Sequence, residues 1–206
     1  MRELPMFPLG TVLFPHMVLP LHVFEPRYRS LMHDVLDGDR EFGVVLISRG
    51  HEVGGGDLRT DIGTVARILR ADEFDDGRWL TIAIGTSRFR VEDWLPDAPY
   101  PRARIETLED EHCDDHVVPR WQELVPLVRR VLALQDRLGE DGVPPDFELA
   151  EDAEVACWQA AVMAPLNSYD AQRVLATNRC AERLDLLEGL LLGLEESLRF
   201  RLADDH

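Results

Sequence analysis

The 206-residue chain is 45% hydrophobic, enough to bury a core, so disorder is not its expected state. Its 39 acidic residues against 22 basic ones give a formal charge of −17, which repels phosphate backbones and anionic lipid, so nucleic acid and membrane are expected to be poor partners. Every basic residue is arginine, and without lysine a Walker A loop, a Ser–Lys dyad and an internal-lysine Schiff base all lack their ε-amino group.

Residues 1–8 (MRELPMFP) are broken by prolines and contain no long apolar run. Neither a signal peptide nor a membrane span is expected there, and a cytoplasmic location follows. Pro26 to Leu36 (PRYRSLMHDVL) predicts a helix, with proline in its first turn and Gly38 just past its end. Phe42 to Ser48 is a short apolar, β-branched run of the kind found in buried strands. His51 to Asp57 (HEVGGGD) predicts a loop, and Thr60 to Arg70 a strand. Asp76-Gly77 lies between strand-like flanks and predicts a hairpin turn, because glycine accepts positive φ at no steric cost. Leu80 to Ile84, Arg88 to Val91 and Tyr100 to Thr107 continue the strand pattern.

Beyond about residue 110 the apolar period changes from two to about 3.6, so the chain is expected to be α+β, strands first and helices after. Leu124, Leu127, Val128, Val131, Leu134 and Leu138 mark one helix face, with Pro126 either starting that helix or kinking it. Gly139 to Pro145 (GEDGVPP) predicts a linker. Phe147 to Ala164 predicts a second helix, Ser168 caps a short third one, and Ala181 to Leu202 forms a fourth along Leu184, Leu187, Leu191, Leu194 and Leu198. Cys113, Cys157 and Cys180 form an odd, sparse set, which fits reduced thiols better than a disulfide framework.

The opening string LPMFPLGTVLFP (Leu4–Pro15), followed by LPLHVFEPRYR (Leu19–Arg29), resembles the start of the Lon protease N-terminal, substrate-binding domain. His16 stands where that family usually has glycine. Phe42-Gly43-Val44, Gly63-Thr64-Val65-Ala66, Gly85 to Val91, Pro165-Leu166 and the helix from Ala181-Glu182-Arg183-Leu184 extend the similarity over nearly the whole chain. The resemblance implies a PUA-like β-barrel over residues 1–110, an α-helical subdomain over 111–206, and a role in engaging polypeptides. The chain is expected to be a free-standing copy of that domain, without ATPase or protease modules.

Four candidate sites come from the residues themselves. In Leu19 to Arg29, His22, Phe24, Glu25, Arg27 and Tyr28 could grip an extended peptide at a polar notch in an apolar groove. The favoured reading is structural, with Glu25 a helix-start carboxylate paired with arginine to lock barrel to helix, since such motifs more often fix a fold than bind. Acid–base catalysis by His22 and Glu25 lacks a nearby nucleophile and oxyanion donors. His112, Cys113 and His116 are zinc-competent, but no complementary Cys-x-x-Cys completes a set of four, so an acidic connector is expected instead. Gly54-Gly55-Gly56 precedes Asp57 and a strand, so it reads as a loop and not as a phosphate cradle. Phe14, Met17, Phe24, Trp79, Trp94, Trp121 and Trp158 would form a partner surface only if several share one exposed patch.

The expected function is therefore non-enzymatic recognition of unfolded or extended polypeptide segments, or of a partner protein, basic segments being favoured by charge. No cofactor or metal is expected. The alternative is a small-molecule or nucleotide-binding PUA-like barrel, while RNA binding conflicts with the acidic surface.

Overall fold

The computed structural model describes residues 2–49, 58–109 and 117–204. The chain divides into two compact units, residues 1–109 and 110–206. Its fold is α+β, a PUA-like barrel with one helix followed by an α-helical part.

The first unit holds β1 (Arg2–Leu9), β2 (Val18–Val23), α1 (Pro26–Asp37), β3 (Glu41–Arg49), β4 (Leu58–Glu73), β5 (Trp79–Leu95) and β6 (Arg102–Thr107). A ring of ladders closes the barrel: β1 runs parallel to β3, and β3–β4, β4–β5, β5–β6 and β6–β1 are antiparallel. Along one edge, β5 pairs first with β2 over Trp79 to Ile84 and then with β6 over Phe89 to Leu95. β6 meets only the first half of β1, Arg2 to Pro5. Among the described residues, the far half of β1 therefore has β3 on one side and no ladder on the other.

The second half of β1, β3 and the middle of β4 are buried on both faces, which explains the unbroken run at 42–47. Met6, Val45, Val65 and Phe89 pack on one face, while their neighbours Phe7, Val44 and Ala66 pack on the other with Tyr28, Leu31, Met32 and Val35 of α1. The motif glycines are explained by contact. A β-carbon at Gly43 or Gly63 would press into the Phe89 ring, and one at Gly85 would meet the Phe14 carbonyl oxygen at 2.2 Å. Gly85 does not end a strand, so the two stretches expected on either side of it are one strand, β5. The hairpin at Asp76-Gly77 forms with Gly77 at φ 76°. His16 adopts φ 64°, the left-handed region, which glycine enters at no steric cost.

Glu41 stands at the start of β3 with its side chain 9% exposed, and it accepts from Arg2 at 2.7 Å and Arg67 at 2.6 Å. Burial raises its carboxyl pKa, but the two guanidinium hydrogen bonds and charges outweigh that and hold it below the ordinary value.

The second unit holds α2 (Val117–Arg137), α3 (Ala153–Met163), α4 (Ser168–Ala176) and α5 (Cys180–Asp204). Pro126 lies inside α2. Arg130 of α2 and Arg199 of α5 both reach Glu195 at 2.7 and 2.8 Å, and Arg120 pairs with Asp185, so charge pairs join α2 to α5. The second expected helix is shorter than the sequence suggested. Asp152 caps it by accepting from the Glu154 and Val155 amides, and this stops the helix from extending back to Phe147. Asn167, not Ser168, caps α4, accepting from the Asp170 amide at 2.9 Å. Cys157 is a buried free thiol, and burial pushes it up to about 12. Cys180 is disulfide-bonded, against the expectation of reduced thiols throughout.

Candidate functional site

β2 alternates cleanly. Leu19, Leu21 and Val23 pack toward the core, while Val18, Pro20 and His22 are exposed. The strand ends at Val23, and after Phe24, Glu25 carries the chain into α1 with extended backbone, φ −67° and ψ 136°. Pro26 then supplies the pre-set φ of a first helical residue. The Glu25 carbonyl accepts the first helical bond from the Arg29 amide at 2.9 Å.

A pocket of about 220 Å³ opens at this corner between β1 and β2, lined by Phe7, Pro8 and Leu9 from one side and Pro20 to Glu25 from the other, with Tyr28 beside them. Four of the five expected residues, His22, Phe24, Glu25 and Tyr28, therefore line one pocket. Arg27 does not line it. Its Nε donates to Glu25 Oε2 at 3.1 Å, and its guanidinium lies 4.5 Å from the centre of the Tyr28 ring. Tyr28 is buried and stacks on Phe7 with centroids 4.2 Å apart. Phe24 is the opposite case, 53% exposed, with its ring 6.2 Å from that of His22.

The Glu25–Arg27 pair joins residues two apart across the strand-to-helix turn, so it does not lock barrel to helix, and the Glu25 carboxylate makes no capping bond. That tie is made elsewhere, by the Phe7–Tyr28 stack and by Tyr100, whose hydroxyl donates to Asp34 of α1 at 2.6 Å. Burial, and then the neighbouring Asp34 carboxylate, push the Tyr100 hydroxyl up to about 12, so it stays protonated and remains a donor.

Of the apolar set singled out in the sequence, Phe14, Trp79, Trp121 and Trp158 are buried, and Met17 and Trp94 are partly so. Phe24 alone among the seven is largely exposed, and it lies at the pocket. Sequence reasoning missed the β1 wall of the pocket, Phe7 to Leu9. The available signal was the pair of prolines, Pro8 and Pro20, each with apolar residues on both sides of it within its strand. The His112, Cys113 and His116 set and Gly54 to Gly56 lie outside the described residues. Among the described residues, no group of three His, Cys, Asp or Glu is placed to hold a metal ion, and no helix is long and apolar enough to cross a membrane.

The sequence profile of the ATP-dependent protease La (LON) substrate-binding domain matches residues 3–192. The chain belongs to this family. LON substrate-binding domain relatives include Lon protease 2 of Myxococcus xanthus, 32% identical over 204 residues covering 96% of this chain and 24% of that protein. Lon protease of Anaeromyxobacter dehalogenans is 31% identical, covering 95% of this chain and again 24% of that protein. The chain thus spans about a quarter of the length of these curated relatives. Among solved structures, it is similar to a Lon N-terminal domain protein from Xanthomonas campestris, with TM-score 0.66 and 27% identity over 91% of this chain and 97% of that one. The N-terminal domain of a Mycobacterium avium complex Lon protease shares the LON fold, with TM-score 0.64 and 16% identity over 95% of this chain and 98% of that one.

Proposed function

We propose that the chain is a non-catalytic recognition module that binds unfolded or extended polypeptide segments at the pocket beside β2, in the cytoplasm, with residues 1–110 and 111–206 as its two domains. The observation that carries the reading is the convergence of His22, Phe24, Glu25 and Tyr28 on one pocket, apolar along its walls, with a carboxylate among its lining and an exposed aromatic ring beside it. Arg27 serves the site indirectly, by orienting Glu25 and covering Tyr28. Membership in a substrate-binding family supports the same reading. The absence of lysine removes the chemistry of a Walker loop and of a Ser–Lys dyad. A nucleotide or drug-sized ligand is disfavoured, because a pocket of about 220 Å³ falls below the ~300–1,000 Å³ of such sites.

The test is a fluorescence-anisotropy titration of labelled, reduced and carboxamidomethylated lysozyme, a basic unfolded chain. Phe24 is half-exposed, so a bound segment could cover a further ~80–100 Å² of ring, about 2 kcal/mol. Phe24→Ala should therefore weaken binding roughly 30-fold while leaving the thermal melt nearly unchanged. Unaltered affinity in a folded Phe24→Ala protein would remove the pocket from the mechanism.

A further inference from the structure

We infer that the pocket is an open seam in the barrel that takes up one added β-strand, an extended basic segment of a partner polypeptide pairing along β2. The inference rests on the recognition reading above and supplies its mode.

The direction of the backbone groups carries the argument. Among the described residues, β2 has one ladder, with β5. Just before β2, Met17 accepts from the Gly85 amide at 2.9 Å, so residue 17 faces β5. Backbone polar groups alternate sides along a strand. Leu19, Leu21 and Val23 therefore face β5, and Val18, Pro20 and His22 turn their N–H and C=O groups to the open edge. On β1, the Met6 amide donates to the Pro101 carbonyl at 2.8 Å, on the side away from β3. Pro8, two residues on, faces that same side and lines the pocket together with β2.

Both walls of the seam thus place a proline where a ladder donor would be needed. Proline has no N–H, so the β1 and β2 edges cannot zip together, and the seam remains as a pocket. What β2 leaves unladdered is three carbonyls, of Val18, Pro20 and His22, against two N–H groups, of Val18 and His22. The Pro8 carbonyl opposite adds a further acceptor. The seam is short of donors, and a third strand brings them as amides.

Alternation also assigns the side chains. Every second residue of an added strand would enter the pocket against Leu21, Val23 and Tyr28. The others would lie on the outward face, where Val18, Leu80 and Ile82 are exposed, Leu80 and Ile82 being the cross-strand partners of His22 and Pro20. This is strand addition to a sheet edge, in which main-chain bonds give affinity and alternate side-chain positions give selectivity. A second copy of this chain fits poorly, since antiparallel β2–β2 pairing centred on Pro20 sets two prolines against each other. Charge selects the occupant: at −17, and with acceptors in excess at the seam, the chain favours a segment bearing arginine or lysine.

The experiment titrates the full chain with a labelled nonapeptide, acetyl-Arg-Val-Thr-Val-Arg-Val-Thr-Val-Arg-amide, at low and high salt. Two analogues carry N-methyl groups, one on the odd and one on the even residues. Strand addition predicts that the unmodified peptide binds, more weakly as salt rises, and that at least one N-methyl pattern costs tenfold or more. Val18→Pro removes an edge-facing N–H without touching the β5 ladder, and it should cost a similar factor with an unchanged melt. If both methylated peptides bind as tightly as the unmodified one, the strand-addition mode is overturned while recognition stands. If neither the peptide nor unfolded lysozyme binds, the recognition reading falls with it. A concentration-dependent dimer that the peptide dissociates would give the seam to a second copy and overturn the proposal.

Discussion

Gly63→Ala is the sharpest test of how the barrel around the seam is packed. Gly63 lies mid-β4, opposite Val45 on β3 and Phe89 on β5. A methyl group there would sit 2.3 Å from the Val44 carbonyl oxygen, 2.6 Å from Phe89 Cζ and 2.8 Å from Val45 Cγ1. Non-bonded carbon contacts settle at ~3.5–4.0 Å, so each approach is about an ångström or more too close. Neither near neighbour can yield cheaply. The carbonyl belongs to a strand laddered on both sides, and the ring is fully buried. Added core methylenes cost about 1–3 kcal/mol, and a clash with backbone belongs at the upper end, so the expected loss is about 3 kcal/mol. For a chain of this length that is roughly 6–12 °C in Tm. Gly193→Ala on α5 is the control: its added carbon meets nothing within 4 Å, and helix propensity should give about 1 kcal/mol in the other direction. Scanning calorimetry of both variants reads the contrast. A Gly63→Ala loss under about 0.5 kcal/mol would mean that the strands can part to admit a methyl group, and that the Phe89 ring is not why glycine stands there.

Two further predictions concern charge and backbone strain. The Glu41 carboxyl pKa is held below its unfolded value of 4.5, so its contribution is fully present above pH 4.5 and lost as pH falls through the lower, folded value. Glu41→Gln should therefore cost about 1 kcal/mol at pH 7, modest because Arg67 is largely exposed, and the gap to the unmodified protein should close in denaturant melts below pH 4.5; a gap constant from pH 7 to 3 would refute the assignment. His16→Gly relieves a left-handed residue, worth ~1–2 kcal/mol, against a backbone entropy cost of ~0.5–1 kcal/mol, so thermal unfolding should shift upward by up to a few degrees; a lower Tm would show that the imidazole makes a compensating contact.

What could be read from the sequence was whatever had a local cause. The helix at Pro26 follows from its proline start, and the turn at Gly77 from its need for positive φ. The switch from strands to helices follows from apolar period. What escaped the sequence had a non-local cause. Gly85 looked like the end of a strand, yet it continues β5, because its missing side chain makes room for the carbonyl of Phe14, seventy-one residues earlier in the chain. The six residues from Phe147 looked helical by composition, but the carboxylate of Asp152 captures the first amides and fixes the start of α3 at Ala153. At the site, His22, Phe24, Glu25 and Tyr28, neighbours in sequence, line one pocket. Arg27 was included because it flanks Pro26 with Glu25, but its side chain turns back to Glu25 and does not line the pocket. The wall from β1 lies too far away in sequence to have been paired with β2 by inspection.

Pro8 and Pro20 bear on the choice between a fold-fixing and a binding role for the opening string. In a strand interior a proline reads as a fault, tolerated where its missing N–H faces no partner. Pro20 meets that condition on the unladdered edge of β2, and Pro8 meets it on the side of β1 that β6 does not reach. Each is therefore compatible with the fold. Together they do something neither does alone, because β1 beyond its ladder with β6, and the free edge of β2, each present a proline without a donor at the pocket. The structural property, an amide nitrogen without hydrogen, is what leaves carbonyl acceptors and a cavity behind. For this string the two roles are compatible: the prolines that limit pairing between β1 and β2 also line the pocket.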